Sequence, residues 1–176
     1  MLQKRGIVNT KNTEKVCLFK LNYFHSGSRA RMELNDYKRA ENVPKETLFV
    51  SMIDDDAMIR SILIRILKGM DFVTYQIDLA AYEDGLQFFE SKRIMENGEH
   101  LLIIDGVMPV MDGIEILQKV KRLENNRNIH VLMLTGRKRE SEIERALKLG
   151  ADDYMTKPFS IKELQARIER LIKRMK

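Results

Sequence analysis

Cysteine is scarce in this chain, with Cys17 alone among 176 residues, and tryptophan is absent. A single cysteine cannot form an internal disulfide and has no second thiolate with which to share a zinc ion, so neither site is expected. No apolar run approaches the about 20 residues that a membrane-spanning helix needs, and the first residues lack the long apolar stretch of a signal peptide. We therefore predict a cytoplasmic protein.

The net positive charge of the chain comes from about its first quarter. Residues 1–47 contain ten Lys or Arg and five Asp or Glu, whereas residues 48–176 contain 21 of each, so the net charge of +5 belongs to the first segment. We predict that residues 1–47 form a basic extension or linker, or the remnant of another module, and that residues 48–176 form the main domain. Two roles remain open for the extension. It is a solvated linker, or it binds nucleic acid or an acidic partner by releasing counterions.

Short apolar runs alternate with segments of helical spacing from residue 48 onward. The alternation predicts an α/β fold, with a five-stranded parallel sheet that is doubly wound. The predicted strands are 48–54, 72–79, 101–105, 130–134 and 153–156. The predicted helices are 57–69, 84–96, 112–124, 140–149 and 160–175.

Polar side chains stand at the ends of four of these runs. Asp54 and Asp55 follow strand one, Asp105 follows strand three, Thr135 follows strand four and Lys157 follows strand five. In an open parallel sheet the ligand site lies outside the carboxyl ends of the strands, so residues far apart in sequence converge there. We expect one shared site at this edge of the sheet.

The three carboxylates predict a magnesium site. Asp54, Asp55 and Asp105 would repel one another unless a cation lay between them. Mg²⁺ prefers hard oxygen ligands and keeps several waters, so carboxylates, water and one backbone carbonyl make a sufficient set. Val107 is placed to supply that carbonyl. The sequence does not decide which of the first two aspartates binds the metal directly.

The remaining residues suggest phosphoryl chemistry. A carboxylate at a strand end beside Mg²⁺, as predicted for Asp105, is a plausible nucleophile toward a phosphoryl group. Thr135 would donate its hydroxyl to a phosphate oxygen, and Gly136 leaves room for the group to approach. Lys157 would neutralise the phosphate.

Four motifs together identify a known family by resemblance. They are IDDD, LLIIDGVMPVMDGIEIL, VLMLTG and GADDYMTKPF. They resemble the receiver domains of two-component response regulators, over about residues 48–176. The last motif, with the helix after it, looks most like the receivers of winged-helix transcription factors. The resemblance implies a flavodoxin-like (βα)5 fold.

The resemblance also implies roles for the site residues. The aspartate matching Asp105 takes a phosphoryl group from a histidine kinase or phosphotransfer protein, and those matching Asp54 and Asp55 organise Mg²⁺. Thr135 and Lys157 match the hydroxyl and the lysine that contact the phosphate. Such a protein is a phosphoacceptor switch, which catalyses its own phosphotransfer and dephosphorylation and is not an enzyme acting on external substrates.

The resemblance further implies an output surface on helix four, strand five and helix five. Tyr154 matches the aromatic residue that moves when the threonine engages the phosphate, and the peptide Lys157-Pro158 matches one that is cis. A symmetric homodimer through this surface is implied, with salt bridges between Arg145 and Glu163 and between Asp153 and Arg167. Nucleic acid would be contacted only through an output domain outside this chain.

Two other functions remain as alternatives. The first is a magnesium-dependent phosphatase, but its expected Asp-x-Asp arrangement is absent because Val107 occupies the second place. The second is an interaction module that works without phosphate and uses the basic extension; its binding would be unaffected by Asp105→Asn.

Overall fold

The computed structural model describes residues 45–124, 128–136 and 140–175. Five strands alternate with five α-helices in this part of the chain. The strands are β1 (Glu46–Ile53), β2 (Tyr75–Tyr82), β3 (Glu99–Ile104), β4 (Ile129–Thr135) and β5 (Asp153–Thr156). The helices are α1 (Ala57–Lys68), α2 (Gly85–Glu90), α3 (Gly113–Lys121), α4 (Glu140–Lys148) and α5 (Ile161–Ile172).

The strands form one parallel sheet in the order β2-β1-β3-β4-β5. This is the order of a flavodoxin-like fold, so the predicted doubly wound α/β architecture is confirmed. Strand order reverses between β1 and β3, where the connections leave toward opposite sides of the sheet. A ligand crevice is expected outside the carboxyl ends of these two strands.

Apolar layers cover both faces of the sheet. β3 is buried along its whole length, as expected for a central strand that has helices on both sides. One layer lies between the sheet and helices α1 and α5, and includes Leu48, Val50, Met52, Leu63, Leu67, Leu164 and Ile168. The other lies under α2, α3 and α4, and includes Ile53, Phe88, Leu102, Ile104, Leu117, Val131 and Ala146.

Side-chain caps define where the helices begin. Asp56 accepts a hydrogen bond from the backbone N–H of Met58 at 2.8 Å, and Asp112 accepts one from Ile114 at 2.8 Å. Such caps satisfy N–H groups that have no partner within the helix. They fix the first turns of α1 and α3 directly beside the ends of β1 and β3.

The second strand and second helix differ from their predicted bounds. β2 spans Tyr75–Tyr82 rather than 72–79, because its pairing partner β1 begins at Glu46, opposite Tyr75. The predicted helix 84–96 is interrupted: α2 ends at Glu90, Lys92 takes a left-handed conformation with φ of 54°, and Arg93–Met95 form a 3-10 turn.

The described residues lie in the second of two units into which the chain divides, 44–176. Its first strand, β1, begins at Glu46, two residues before the predicted boundary at 48. The extension predicted for residues 1–47 lies outside the described residues apart from its last three, and it stays a prediction. In the described ranges, the longest helices are too short or too polar to cross a membrane.

Candidate functional site

Backbone hydrogen bonds hold four strand ends together at one edge of the sheet. Asp105 N–H donates to the carbonyl of Ile53 at 2.8 Å, which joins the last residue of β1 to the residue just beyond β3. Lys157 N–H donates to the carbonyl of Thr135 at 2.8 Å, which joins β5 to β4. Residues that are far apart in sequence therefore meet at the carboxyl edge, where the reversal in strand order also lies.

The three predicted carboxylates form a cluster at this edge. One carboxylate oxygen from each of Asp54, Asp55 and Asp105 lies within 4.8 Å of the other two. Asp54 is 1% exposed and Asp105 is 7% exposed, whereas Asp55 is open to solvent. Two acids at the floor and one at the rim can coordinate a cation that enters from solvent and keeps part of its water shell.

Lys157 places its ammonium group between the two buried acids. Its Nζ lies 2.6 Å from Asp54 Oδ2 and 3.0 Å from Asp105 Oδ2. The peptide Lys157-Pro158 is cis, as the resemblance implied. The other oxygen of Asp54 accepts the N–H of Asp56 at 3.0 Å, so both oxygens of this acid are engaged.

Burial and ion pairing act in opposite directions on Asp54 and on Lys157. Desolvation raises the pKa of Asp54 above its ordinary value, although the hydrogen bond and the charge of Lys157 act against it. Burial acts to lower the pKa of Lys157, but hydrogen bonds to Asp54 and Asp105 outweigh it and the pKa is raised. One ammonium therefore leaves this acid cluster short of positive charge, which a divalent cation would supply.

Val107 and Gly113 shape the chain around Asp105. The N–H of Val107 donates to Asp105 Oδ1 at 3.3 Å, and the Val107 side chain is half exposed at the rim. A Cβ on Gly113 would collide with the backbone oxygen of Asp105, so the glycine allows α3 to begin directly against the site. The loop therefore folds tightly around the acid.

Thr135 lies at the end of β4 and is 1% exposed. Its neighbour across the sheet is Gly106, where an added Cβ would stand 2.5 Å from Thr135 Oγ1 and 2.7 Å from Thr135 Cβ. Both residues line a shallow pocket with Tyr154, Met133 and Arg145. The sequence pointed to Thr135 and Tyr154 but not to Gly106, whose only signal was a glycine directly after Asp105.

The surface of β5 and α5 carries a charge cluster built on Asp153, which is 7% exposed. Arg167 Nη1 donates to Asp153 Oδ1 at 2.9 Å, and Arg170 Nη2 donates to Asp153 Oδ2 at 2.7 Å. Arg167 also pairs with Glu163 at 2.8 Å. The pair Asp153 with Arg167, which the resemblance implied across a dimer, thus forms within one chain.

The response regulator receiver domain matches residues 50–169 of this chain. The chain therefore belongs to this family, and the family predicted from its motifs is confirmed.

Two similar proteins carry names that fit this family. The phosphate regulon transcriptional regulatory protein PhoB of Escherichia coli (strain K12) is 33% identical over 126 residues, which are 72% of this chain and 52% of PhoB. The response regulator MprA of Mycobacterium leprae (strain TN) is 36% identical over 124 residues, 70% of this chain and 50% of MprA. This chain thus spans about half the length of both relatives. The receiver domain of Francisella response regulator 1452 superposes with a TM-score of 0.59 at 30% identity, covering 75% of this chain and 100% of that domain.

Proposed function

We propose that this protein is a phosphorylated switch that accepts a phosphoryl group on Asp105 from a histidine kinase or phosphotransfer protein. The observation that carries the proposal is the ammonium of Lys157, held 2.6 Å from Asp54 and 3.0 Å from Asp105 at the carboxyl edge of the sheet. A nucleophile, a cation and additional acids at one point are the parts that phosphoryl transfer requires.

Magnesium fits the donor set of this site. Hard carboxylate oxygens of Asp54, Asp55 and Asp105 lie within 4.8 Å of one another, and the floor of the site is short of positive charge. We assign these three residues and the Val107 carbonyl as the ligands. When bound, Mg²⁺ would neutralise phosphate oxygens and help to align the transferred group.

The residues of the chain then have distinct tasks. A carboxylate oxygen of Asp105 attacks phosphorus, the bond from phosphorus to the donor nitrogen breaks, and an acyl phosphate forms. Lys157 moves from the bare carboxylate pair to the added phosphate oxygens, because they carry more negative charge. Thr135 donates its hydroxyl to one of them. Attack of water on the same phosphorus reverses the switch, so the protein would not act as an enzyme on external substrates.

The phosphate shifts the population of two conformations. It adds about two negative charges and three hydrogen-bond acceptors, which favour the arrangement that brings Thr135 and Lys157 against it. Tyr154 lines the same pocket as Thr135 and would respond to its movement. The surface of α4, β5 and α5 would transmit the change to a partner or a second copy.

A homodimer through this surface would use the charges that it carries. Arg145 with Glu163 would pair across the two-fold axis, as would Asp153 with Arg167. Arg167 already binds Asp153 within the chain. In the dimer it would either leave this aspartate for Asp153 of the second copy or bind both. Cytoplasmic signalling and DNA contact through an output domain belong to the same proposal. PhoB is named a transcriptional regulatory protein, which supports a role of this kind.

The test is intact mass spectrometry after incubation with Mg²⁺ and acetyl phosphate. The wild type should gain the mass of one phosphoryl group, Asp105→Asn should gain none, and chelation of Mg²⁺ should suppress the gain. A wild type that binds Mg²⁺ but gains no mass would contradict the proposal and favour the interaction module that works without phosphate.

A further inference from the structure

Gly106, just beyond β3, lies directly against the side chain of Thr135 at the end of β4. Ile104 is paired with Met133 in the parallel register, and Gly106 and Thr135 are the next neighbours on the same face, two residues along. A Cβ on Gly106 would lie 2.5 Å from Thr135 Oγ1, 2.7 Å from Thr135 Cβ and 3.1 Å from Thr135 Cγ2. Real side chains do not pack at the first two of these distances, so the contact exists only because residue 106 has no side chain.

The space, rather than the backbone conformation, is what requires glycine here. The positive-φ glycines in the described ranges are Gly98 and Gly150, and Gly106 is not among them. Alanine can adopt the backbone of Gly106, so its effect would be transmitted through the contact with Thr135. Gly106→Ala therefore tests the contact without straining the backbone.

The backbone of Thr135 is held by β5, so such a substitution would act mainly on its side chain. Its carbonyl accepts the N–H of Lys157 at 2.8 Å and its backbone pairs with Thr156, so β5 holds it from the far side. A side chain on residue 106 would push the threonine away from β3, which is the strand that leads into Asp105. The pocket shared with Tyr154 is the open volume into which the threonine side chain would turn.

We propose that Gly106 is a positioning residue for phosphorylation: by leaving its side-chain space to Thr135, it sets the reach of the threonine hydroxyl to a phosphoryl group on Asp105. This rests on the proposed function. A hydrogen bond from a hydroxyl to a charged oxygen needs an O···O distance of about 2.5–3.0 Å, so a displacement of half an ångström or more weakens it. Glycine at this place therefore serves recognition of the phosphoryl group.

Fluoroberyllate, which mimics a phosphoryl group on a carboxylate, gives a direct test in the full chain. Its affinity would be titrated at saturating Mg²⁺ for the wild type, Gly106→Ala, Thr135→Ala and the matched control Gly69→Ala. Gly69 lies at the carboxyl end of α1, is exposed, and its added Cβ would meet no atom closer than the carbonyl oxygen of Ile66 at 3.4 Å. We expect Gly106→Ala to weaken binding about tenfold or more, the scale of a hydrogen bond to a charged group, and Gly69→Ala to bind as the wild type does.

Two further readouts separate positioning from general destabilisation. Affinity for Mg²⁺ alone should stay within about twofold of the wild type in Gly106→Ala, because Thr135 is not among the assigned ligands. The double variant Gly106→Ala/Thr135→Ala should bind fluoroberyllate no more weakly than Thr135→Ala, since the hydroxyl that glycine positions is already gone.

Several results would overturn the inference. Gly106→Ala that melts earlier but binds fluoroberyllate as tightly as Gly69→Ala would reduce the glycine to a packing role. If Gly106→Ala does not fold, the comparison moves to Thr135→Ser with and without Gly106→Ala, since serine lacks Cγ2 and relieves part of the crowding; equal affinity of that pair would have the same meaning. A wild type that fails to bind fluoroberyllate at all would instead contradict the proposed function.

Discussion

Replacing Lys157 with methionine should make the fold depend on a divalent cation. In the structure one ammonium lies 2.6 Å from Asp54 and 3.0 Å from Asp105, both almost fully buried. Methionine fills a similar volume but carries no charge, so two buried carboxylates would remain without their cation. Removing one partner of a buried ion pair costs about 3–5 kcal/mol. Because Lys157 keeps a fifth of its side chain exposed, we expect the lower end, about 3 kcal/mol.

The assay is urea unfolding of Lys157→Met and the wild type, each in EDTA and in millimolar Mg²⁺. Mg²⁺ stabilises the folded state by an amount that grows with its affinity. It should bind more tightly to the variant, because it no longer competes with the ammonium for the same oxygens. Most of the loss seen in EDTA should therefore disappear in Mg²⁺. Lys162→Met, on the exposed side of α5, is the matched control and should change little in either condition.

A loss of stability that does not respond to Mg²⁺ would contradict this role of Lys157. If Lys157→Met lost the same free energy of unfolding in EDTA and in Mg²⁺, the lysine would act through packing and not as the resident cation of the acid cluster. Destabilisation of equal size in Lys162→Met would point to a general effect of removing charge from the surface.

Two further predictions concern acids at opposite ends of the sheet. Asp55→Asn should abolish the Mg²⁺-dependent rise in unfolding temperature. It should also stabilise the metal-free protein by about 1 kcal/mol or less, the scale of an exposed charge interaction. An unchanged response to Mg²⁺ would remove Asp55 from the ligand set. Glu99 is buried at the start of β3, where its Oε2 accepts no hydrogen bond in the described part of the chain and lies 3.6 Å from His130 Nε2. Desolvation raises the pKa of Glu99 above 4.5, although the charge of His130 acts against it. Its ionised form therefore weakens the fold at neutral pH, and stability from this group returns as the pH falls through its raised folded-state pKa toward 4.5. Glu99→Gln should raise the free energy of unfolding at pH 7 by about 1 kcal/mol, and thermal melts should show the advantage shrinking over that pH window; an advantage that does not depend on pH would contradict the assignment to this carboxyl.

The strands that the sequence located best are those with strong local boundaries. β5 was predicted at 153–156 and lies there, because Gly150 precedes it and Lys157-Pro158 ends it. The predicted bounds of β2 lay three residues too early. This edge strand is partly exposed on both faces, so its alternation of apolar and polar residues looks similar when the strand is shifted along the sequence. Its frame is set by pairing with β1, which local sequence does not contain.

The end of α2 was missed for a related reason. The apolar pattern continues into Ile94 and Met95, so periodicity extends the helix, whereas the chain turns at Lys92 and buries Ile94 from a 3-10 turn. The burial of Ile94, which is a tertiary contact, therefore determines where α2 ends.

The meeting of these side chains could be predicted because strand ends in a parallel sheet share one edge. Asp54, Asp55, Asp105 and Lys157 meet as expected, and Thr135 closes the neighbouring strand. Gly106 escaped notice because a glycine after an aspartate indicates a turn, and its contact with Thr135 depends on how β3 and β4 are aligned. The bonds within the chain from Arg167 to Asp153 and Glu163 were missed similarly, since side chains on adjacent elements compete for the same charges.

Chemical trapping would show directly whether Asp105 itself carries the phosphoryl group. Borohydride reduces an acyl phosphate of aspartate to homoserine, so the protein would be phosphorylated with acetyl phosphate and Mg²⁺, reduced, digested and mapped by peptide mass spectrometry. We expect homoserine at position 105, dependent on Mg²⁺, with Asp54 and Asp55 unchanged. Homoserine at either of those acids, or none in a phosphorylated wild type, would contradict it.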